Sequence, residues 1–160
     1  MANALRIYSR AKIVNFMNTG TSEEPVYTRM QGFTSGGKEL NPVTYSRRYI
    51  DEEFERESTT GYSPNIPYTY DRIIGNAVHE KVSKVHDEEL IEQTCDILTV
   101  DTVANKAYLR TYDINPDSDG TETDSYSYSG NFHANGAMIN GTATISSDGL
   151  TATFTESGSV

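Results

Sequence analysis

One stretch of this chain, and no other, spaces its apolar residues as a helix does, which leaves strands to build everything else. Across residues 71–91, Ile73, Ile74, Ala77, Val78, Val82 and Val85 recur at spacings of one, three and four, with Asp71 available as N-cap. The opposite face carries Arg72, Asn76, Glu80, Lys81 and Lys84, so the helix is expected to lie across a sheet with its charges outward. The other apolar runs read as strands: 5–16 with a bend, 25–34, 43–50, 94–101, 106–113, 123–133, 137–145 and 150–155. The second and third of these, punctuated by Ser35, Gly36 and Gly37, are expected to pair as a long hairpin. Between them and the helix, residues 51–67 combine a charge run with Pro64 and Pro67 and read as a long loop.

Turn chemistry supports the strand reading. Ser147, Asp148 and Gly149 separate the near-identical pieces Thr142-Ala143-Thr144-Ile145 and Thr151-Ala152-Thr153-Phe154, and glycine supplies the positive φ that a tight hairpin needs. Asn135-Gly136 and Asn140-Gly141 are weaker turn signals. Eleven Tyr with no Trp suit pleated surfaces with one wet face. The predicted fold is mainly β, a sandwich or barrel flanked by one helix, and 160 residues fit a single domain. With 36% hydrophobic residues, the chain is expected to draw part of its stability from neighbours.

Thirteen Lys plus Arg stand against twenty-three Asp plus Glu, a net charge of −10, and this sign disfavours tight binding of nucleic acid. The imbalance is uneven, since residues 111–160 hold seven acidic and no basic residues. The lone Cys95 has apolar, β-prone neighbours and reads as a buried structural thiol. The opening residues lack the apolar core of a signal peptide, and no window resembles a membrane span, so synthesis in a reducing cytosol without membrane binding is expected.

Candidate chemistry is thin. Asp113, Asn115, Asp117, Asp119, Gly120, Glu122 and Asp124 have the oxygen density of a calcium loop, but Tyr126 stands where the bidentate Glu is needed, so a solvated acidic hairpin loop is the better reading. His79 and His86 lie seven apart, about 10 Å along a helix axis, too far to share one ion, and read as surface histidines. His133 stands alone in a strand. Glu52 and Glu53 lie in a charged loop with nothing to raise a carboxyl pKa. Asn140-Gly141-Thr142 matches a glycosylation acceptor and reads more simply as a turn. No metal, cofactor or catalytic constellation is expected.

The order of pieces carries a resemblance. Met30-Gln31-Gly32-Phe33 and Thr44-Tyr45-Ser46-Arg47-Arg48-Tyr49-Ile50-Asp51 are followed by Thr60-Gly61-Tyr62-Ser63-Pro64-Asn65-Ile66-Pro67, then the helix, then strands ending in Gly130, the Asn-Gly region and Ala152-Thr153-Phe154-Thr155. In this order the chain resembles the tail tube, or major tail, proteins of long-tailed non-contractile phages and prophages.

That resemblance implies hexameric rings that share a larger β-barrel and stack into a tube around a tape measure protein. Tail terminator and distal tail or initiator proteins would cap the tube, and DNA would pass through the lumen without sticking. The chain would reside in the virion tail, after assembly in the bacterial cytoplasm. Under this reading the 51–67 segment mediates ring stacking, with Glu52, Glu53, Glu55 and Arg56 in polar contacts and Tyr62 and Ile66 as anchors. Glu122 and Asp124, with Asp96 and Asp101 as weaker candidates, would line an acidic lumen. The competing reading is a free-standing carbohydrate-binding or adhesin module using Tyr126, Tyr128 and Phe132 as a sugar platform.

Overall fold

The computed structural model describes residues 6–21, 23–35 and 37–157. Leu5, the first residue of the expected opening strand, and Gly36 of the expected hairpin junction lie outside them. The elements run β1 (Ile13–Asn18), β2 (Tyr27–Arg29), β3 (Phe33–Ser35), β4 (Pro42–Arg47), β5 (Arg56–Tyr62), β6 (Asn65–Asp71), α1 (Ala77–Asp87), β7 (Thr94–Asp101), β8 (Lys106–Asp119), β9 (Ser127–Ala134), β10 (Ile139–Ile145) and β11 (Thr151–Glu156). Nine strands form one sheet in the order β10-β11-β2-β1-β7-β8-β9-β6-β3, and β4 and β5 form a separate pair. The mainly-β architecture, with one α-helix among the described residues, is as the sequence predicts.

The large sheet closes on itself through its longest strand. β10 also pairs with β8, Ile139 opposite Leu109 and Gly141 opposite Ala107, which joins β10, β11, β2, β1, β7 and β8 into a ring. Alternation fills this barrel. Val14 and Phe16 of β1, Leu98 and Val100 of β7, and Ala107 and Leu109 of β8 share its core with Ala143, Ala152 and Phe154. Closure removes edge strands that would otherwise seek partners. The β10–β11 hairpin turns where the sequence places it, with Ile145 opposite Ala152 and Gly149 at φ 74°.

Beyond the barrel the second half of β8 continues and pairs with β9, Ile114 opposite Phe132, and β9 pairs with β6. This part of the sheet curves over α1, and its core is aromatic. Tyr68 stacks on Phe132 at 4.3 Å between centroids, and Tyr70 on Tyr128 at 5.3 Å and on His79 at 4.4 Å. Gly130 faces Tyr68 across the ladder and makes room for it, because a Cβ there would lie 2.7 Å from the Tyr68 hydroxyl. Val78, Val82 and Val85 bring the apolar face of α1 onto these rings, each worth about 1.5–3 kcal/mol of burial.

Several expectations are corrected. The helix begins at Ala77, not Asp71. Asn76 caps it, accepting from the Val78 and His79 N–H groups, whereas Asp71 ends β6 and accepts from Ser125. Ile73 and Ile74, counted toward the helix face, lie in the exposed β6–α1 connection. The expected hairpin of 25–34 with 43–50 does not form. Its first half splits at Gly32, φ 76°, into β2, which pairs with β1 and β11, and β3, which pairs with β6. β4 pairs instead with β5, so the expected 51–67 loop contains a full strand and the start of β6. Asp113, Asn115, Asp117 and Asp119 belong to β8, and the loop proper is only 120–126. Asn140 and Gly141 lie within β10 and make no turn.

Candidate assembly surface

The β4–β5 pair is the most unusual surface feature. Every residue of β4 is exposed, as is every residue of β5 except Gly61, so neither face of this two-stranded arm rests on the body. A lone two-stranded ribbon is marginal in water, yet this one exposes Val43, Tyr45, Tyr49, Phe54 and Tyr62, with Ile50 at its tip fully exposed. Its base is anchored. Glu39 and Asn65 pair by two backbone hydrogen bonds of 2.7 and 2.8 Å, and the Ser63 N–H reaches the Leu40 and Asn41 carbonyls at 3.1 Å. Such a rigidly rooted ribbon with apolar side chains in water has the character of a contact element.

Five of the six expected stacking residues lie on this arm. Glu52 and Arg56 form a bidentate pair at 2.6 and 2.5 Å that braces the tip, and Arg56 lies over the Tyr49 ring at 5.9 Å. Glu53 and Glu55 are exposed at the tip, and Tyr62 is exposed at the base. Ile66 differs. It sits in β6 with 7% exposure, inside the aromatic core, because the 2-residue period of β6 turns Ile66, Tyr68 and Tyr70 inward together.

The four acidic residues expected in a lumen do not converge. Glu122 and Asp124 lie on the exposed 120–126 loop at the C-terminal end of β8. Asp101 lies at the other end of that 14-residue strand. There it organises the β7–β8 turn, accepting the Tyr8 hydroxyl at 2.6 Å and the Val103 and Ala104 N–H groups. The Tyr8 bond, followed by these amides, holds its carboxyl below the usual range. Asp96 is half-buried on the face of β7 that leads into the barrel and accepts the Thr111 hydroxyl at 2.7 Å.

The histidines expected at the helix surface are buried. Ile73 N–H donates to His79 Nδ1 at 2.9 Å, which puts the proton on Nε2, where it is donated to the Gln31 carbonyl. His86 Nε2 meets the Tyr68 hydroxyl at 2.7 Å, and its Nδ1 lies 3.5 Å from Asp119. Burial pushes both imidazoles below their ordinary pKa, and for His86 the Asp119 carboxylate partly opposes it. The spacing that separates them along the axis also places both on the sheet-facing side, a signal the sequence carried once the sheet was known to lie there. Cys95 is buried as expected, and burial pushes its thiol up to about 12.

The proposed sugar platform is not a surface. Tyr128 and Phe132 are 1% and 0% exposed, and Tyr126 alone faces water, donating to Asp119 at 2.9 Å.

A groove that sequence reasoning missed runs between β1 and β3. It encloses about 500 Å³ and is walled by Arg10, Arg29, Met30 and Phe33, with Ile97 and Phe132 beneath. A second cleft of about 290 Å³, sharing Arg10, Ile13, Asn15, Ile66 and Ile97, extends it past Lys38 to Arg110 and Tyr112. Arg110 Nε is buried there with no hydrogen-bond partner among the described residues. The cations come from separate elements, so no local motif announces them.

No family model matches the chain, and no curated protein matches it in sequence. Its fold is similar to that of a chain in the tail of an empty GTA particle determined by helical refinement with C6 symmetry, with a TM-score of 0.63 and 9% identity over 82% of this chain and 97% of that one. A chain of the anti-feeding prophage (AFP) baseplate, 6-fold symmetrised, gives a TM-score of only 0.42 at 8% identity, over 80% of this chain and 89% of that one.

Proposed function

We propose that this chain is a structural tail protein, the subunit of a phage tail tube built from stacked hexameric rings. The observation that carries the reading is the shared fold with a subunit of a C6-symmetric tail across 97% of that subunit's length. The rooted but uncovered arm supports it, since its apolar residues gain burial only against another chain. In this reading the rings enclose a tape measure protein, and terminator and initiator proteins bound the tube. DNA then passes without being held, an acidic surface repelling the polyanion. The arm, through Glu53, Glu55, Arg56 and Tyr62, reaches an adjacent ring, with Glu52 bracing its tip. Glu122 and Asp124 face the lumen. The chain acts by assembly and not by catalysis.

Negative-stain microscopy and sedimentation of the purified protein across a concentration series test this reading. Rings or tubes with six-fold end views are expected, and a chain that stays monomeric, even with a tail initiator present, overturns it. The free-standing sugar-binding module loses its platform with the burial of Tyr128 and Phe132.

A further inference from the structure

We infer that the acidic tip of the β4–β5 arm of one copy seats in the cationic groove between β1 and β3 of a second copy. The inference rests on the self-assembly reading and adds the surface that receives the arm.

The two surfaces are opposite in net charge, the arm carrying Asp51, Glu52, Glu53, Glu55 and Glu57 against Arg47, Arg48 and Arg56. At the tip, Asp51, Glu53, Glu55 and Glu57 make no side-chain hydrogen bond or ion pair among the described residues, Glu52 alone being held by Arg56. Phe54 projects from the middle of these carboxylates, 80% exposed. In the groove, Arg10, Lys38 and Arg110 gather on a chain that is otherwise strongly acidic, Arg10 keeping one donor on the Ile13 carbonyl at 2.7 Å, while Arg29 at the wall turns its guanidinium toward Gly149 of the β10–β11 turn. Among the described residues that line the groove, the one carboxylate, Asp101, is already bonded to Tyr8 and the turn amides. Beneath the cations lies an apolar floor that suits Phe54, and about 500 Å³ is space for side chains and not for a folded domain. Arg110 lends its positive charge to the second cleft, which an incoming carboxylate would offset.

Geometry makes the contact intermolecular. Lys38 lines the groove and lies just before the arm's base, while the six residues of β4 carry the tip roughly 20 Å away. A tip cannot return to the groove at its own root. Each copy therefore offers one tip and one groove on different parts of its surface, a heterologous contact that repeats from copy to copy without using itself up.

Charge exchange and crosslinking in the full-length protein test the inference. E53K/E55K and R10E/K38E, each checked by circular dichroism for a native fold, are expected to raise the concentration needed for assembly about tenfold or more, and mixing the two variants should restore assembly, because both tip–groove contacts between unlike copies are then matched in charge. A photoreactive phenylalanine at position 54, in a mixture of isotopically light and heavy copies, should crosslink between copies to residues 10–15 or 29–34. Assemblies whose crosslinks map elsewhere, or whose formation is indifferent to both charge reversals, overturn the groove and leave the self-assembly reading standing. Absence of any assembly by the wild-type chain overturns both.

Discussion

The hydroxyl of Tyr68 and Nε2 of His86 meet at 2.7 Å inside the core and tie strand β6 to helix α1. His79, bonded through both ring nitrogens, fastens the helix to two connections, at Ile73 between β6 and α1 and at Gln31 between β2 and β3, so that two imidazoles hold it in place. Both are held below their ordinary pKa by burial, so they are neutral in the folded protein under conditions where the unfolded chain protonates them.

Stability should therefore decline as pH falls. The unfolded chain binds more protons once pH drops through about 6.5, and the loss continues until the lowered folded pKa values are reached, below which it levels off. Urea midpoints between pH 8 and 5.5 should fall in the wild type, and the slope should shrink in His86→Gln. Carboxylate titration, centred near pH 4, stays outside this window. A flat wild-type profile would show that the latches do not titrate with unfolding.

Tyr70 and Ser83 share a buried hydrogen bond of 2.8 Å. Tyr70→Phe should destabilise by about 1–2 kcal/mol, because it strands the fully buried Ser83 hydroxyl. Adding Ser83→Ala should recover part of that loss. A double variant no better than the sum of the single ones would mean that the bond adds nothing beyond packing.

Gly130→Ala should lower stability by about 1–3 kcal/mol through overpacking. The added methyl would lie 2.5 Å from the Asn115 carbonyl oxygen, which is backbone and cannot turn aside. Thermal denaturation measures it, with Gly61→Ala as the control, since nothing lies within 4 Å of a Cβ there.

Replacing residues 45–58 by an Asn-Gly turn, across the Thr44–Thr59 pair, should leave the melting temperature within a few degrees while abolishing tubes. The arm adds no buried side chain to either core, so its loss should register in sedimentation and not in folding. A shortened chain that still forms wild-type tubes would remove the arm from assembly.

Glu122→Lys with Asp124→Lys should assemble normally and impair DNA delivery, with infectivity as the readout. Both lie on an exposed loop, so folding should be spared. Normal infectivity would take them out of the lumen.

Much of the framework was legible in the sequence, and the failures share a cause. The body of α1 and the Ser147-Asp148-Gly149 turn are local features, fixed by periodicity and by the φ of one glycine. The helix start was misplaced because Ile73 and Ile74 match the period while Gly75, at φ 85°, breaks the chain before Asn76 caps it. β5 was hidden because Arg56-Glu57-Ser58-Thr59-Thr60-Gly61-Tyr62 has no buried face and so no alternation to read. The groove and the closure of β10 onto β8 depend on residues far apart in the chain, which spacing cannot reveal. Of the expected site residues, those on the arm came together because they are neighbours in sequence. The acidic set did not, because a 14-residue strand lies between Asp101 and Glu122.

That strand, β8, belongs to both halves of the molecule. Its first residues close the barrel against β10, and its later ones carry β9 and the aromatic core. Unfolding of either core would free one half of a strand whose other half still serves the second core, so the two are expected to unfold together. β8 thus stands between the two cores as a web stands between the flanges of a beam.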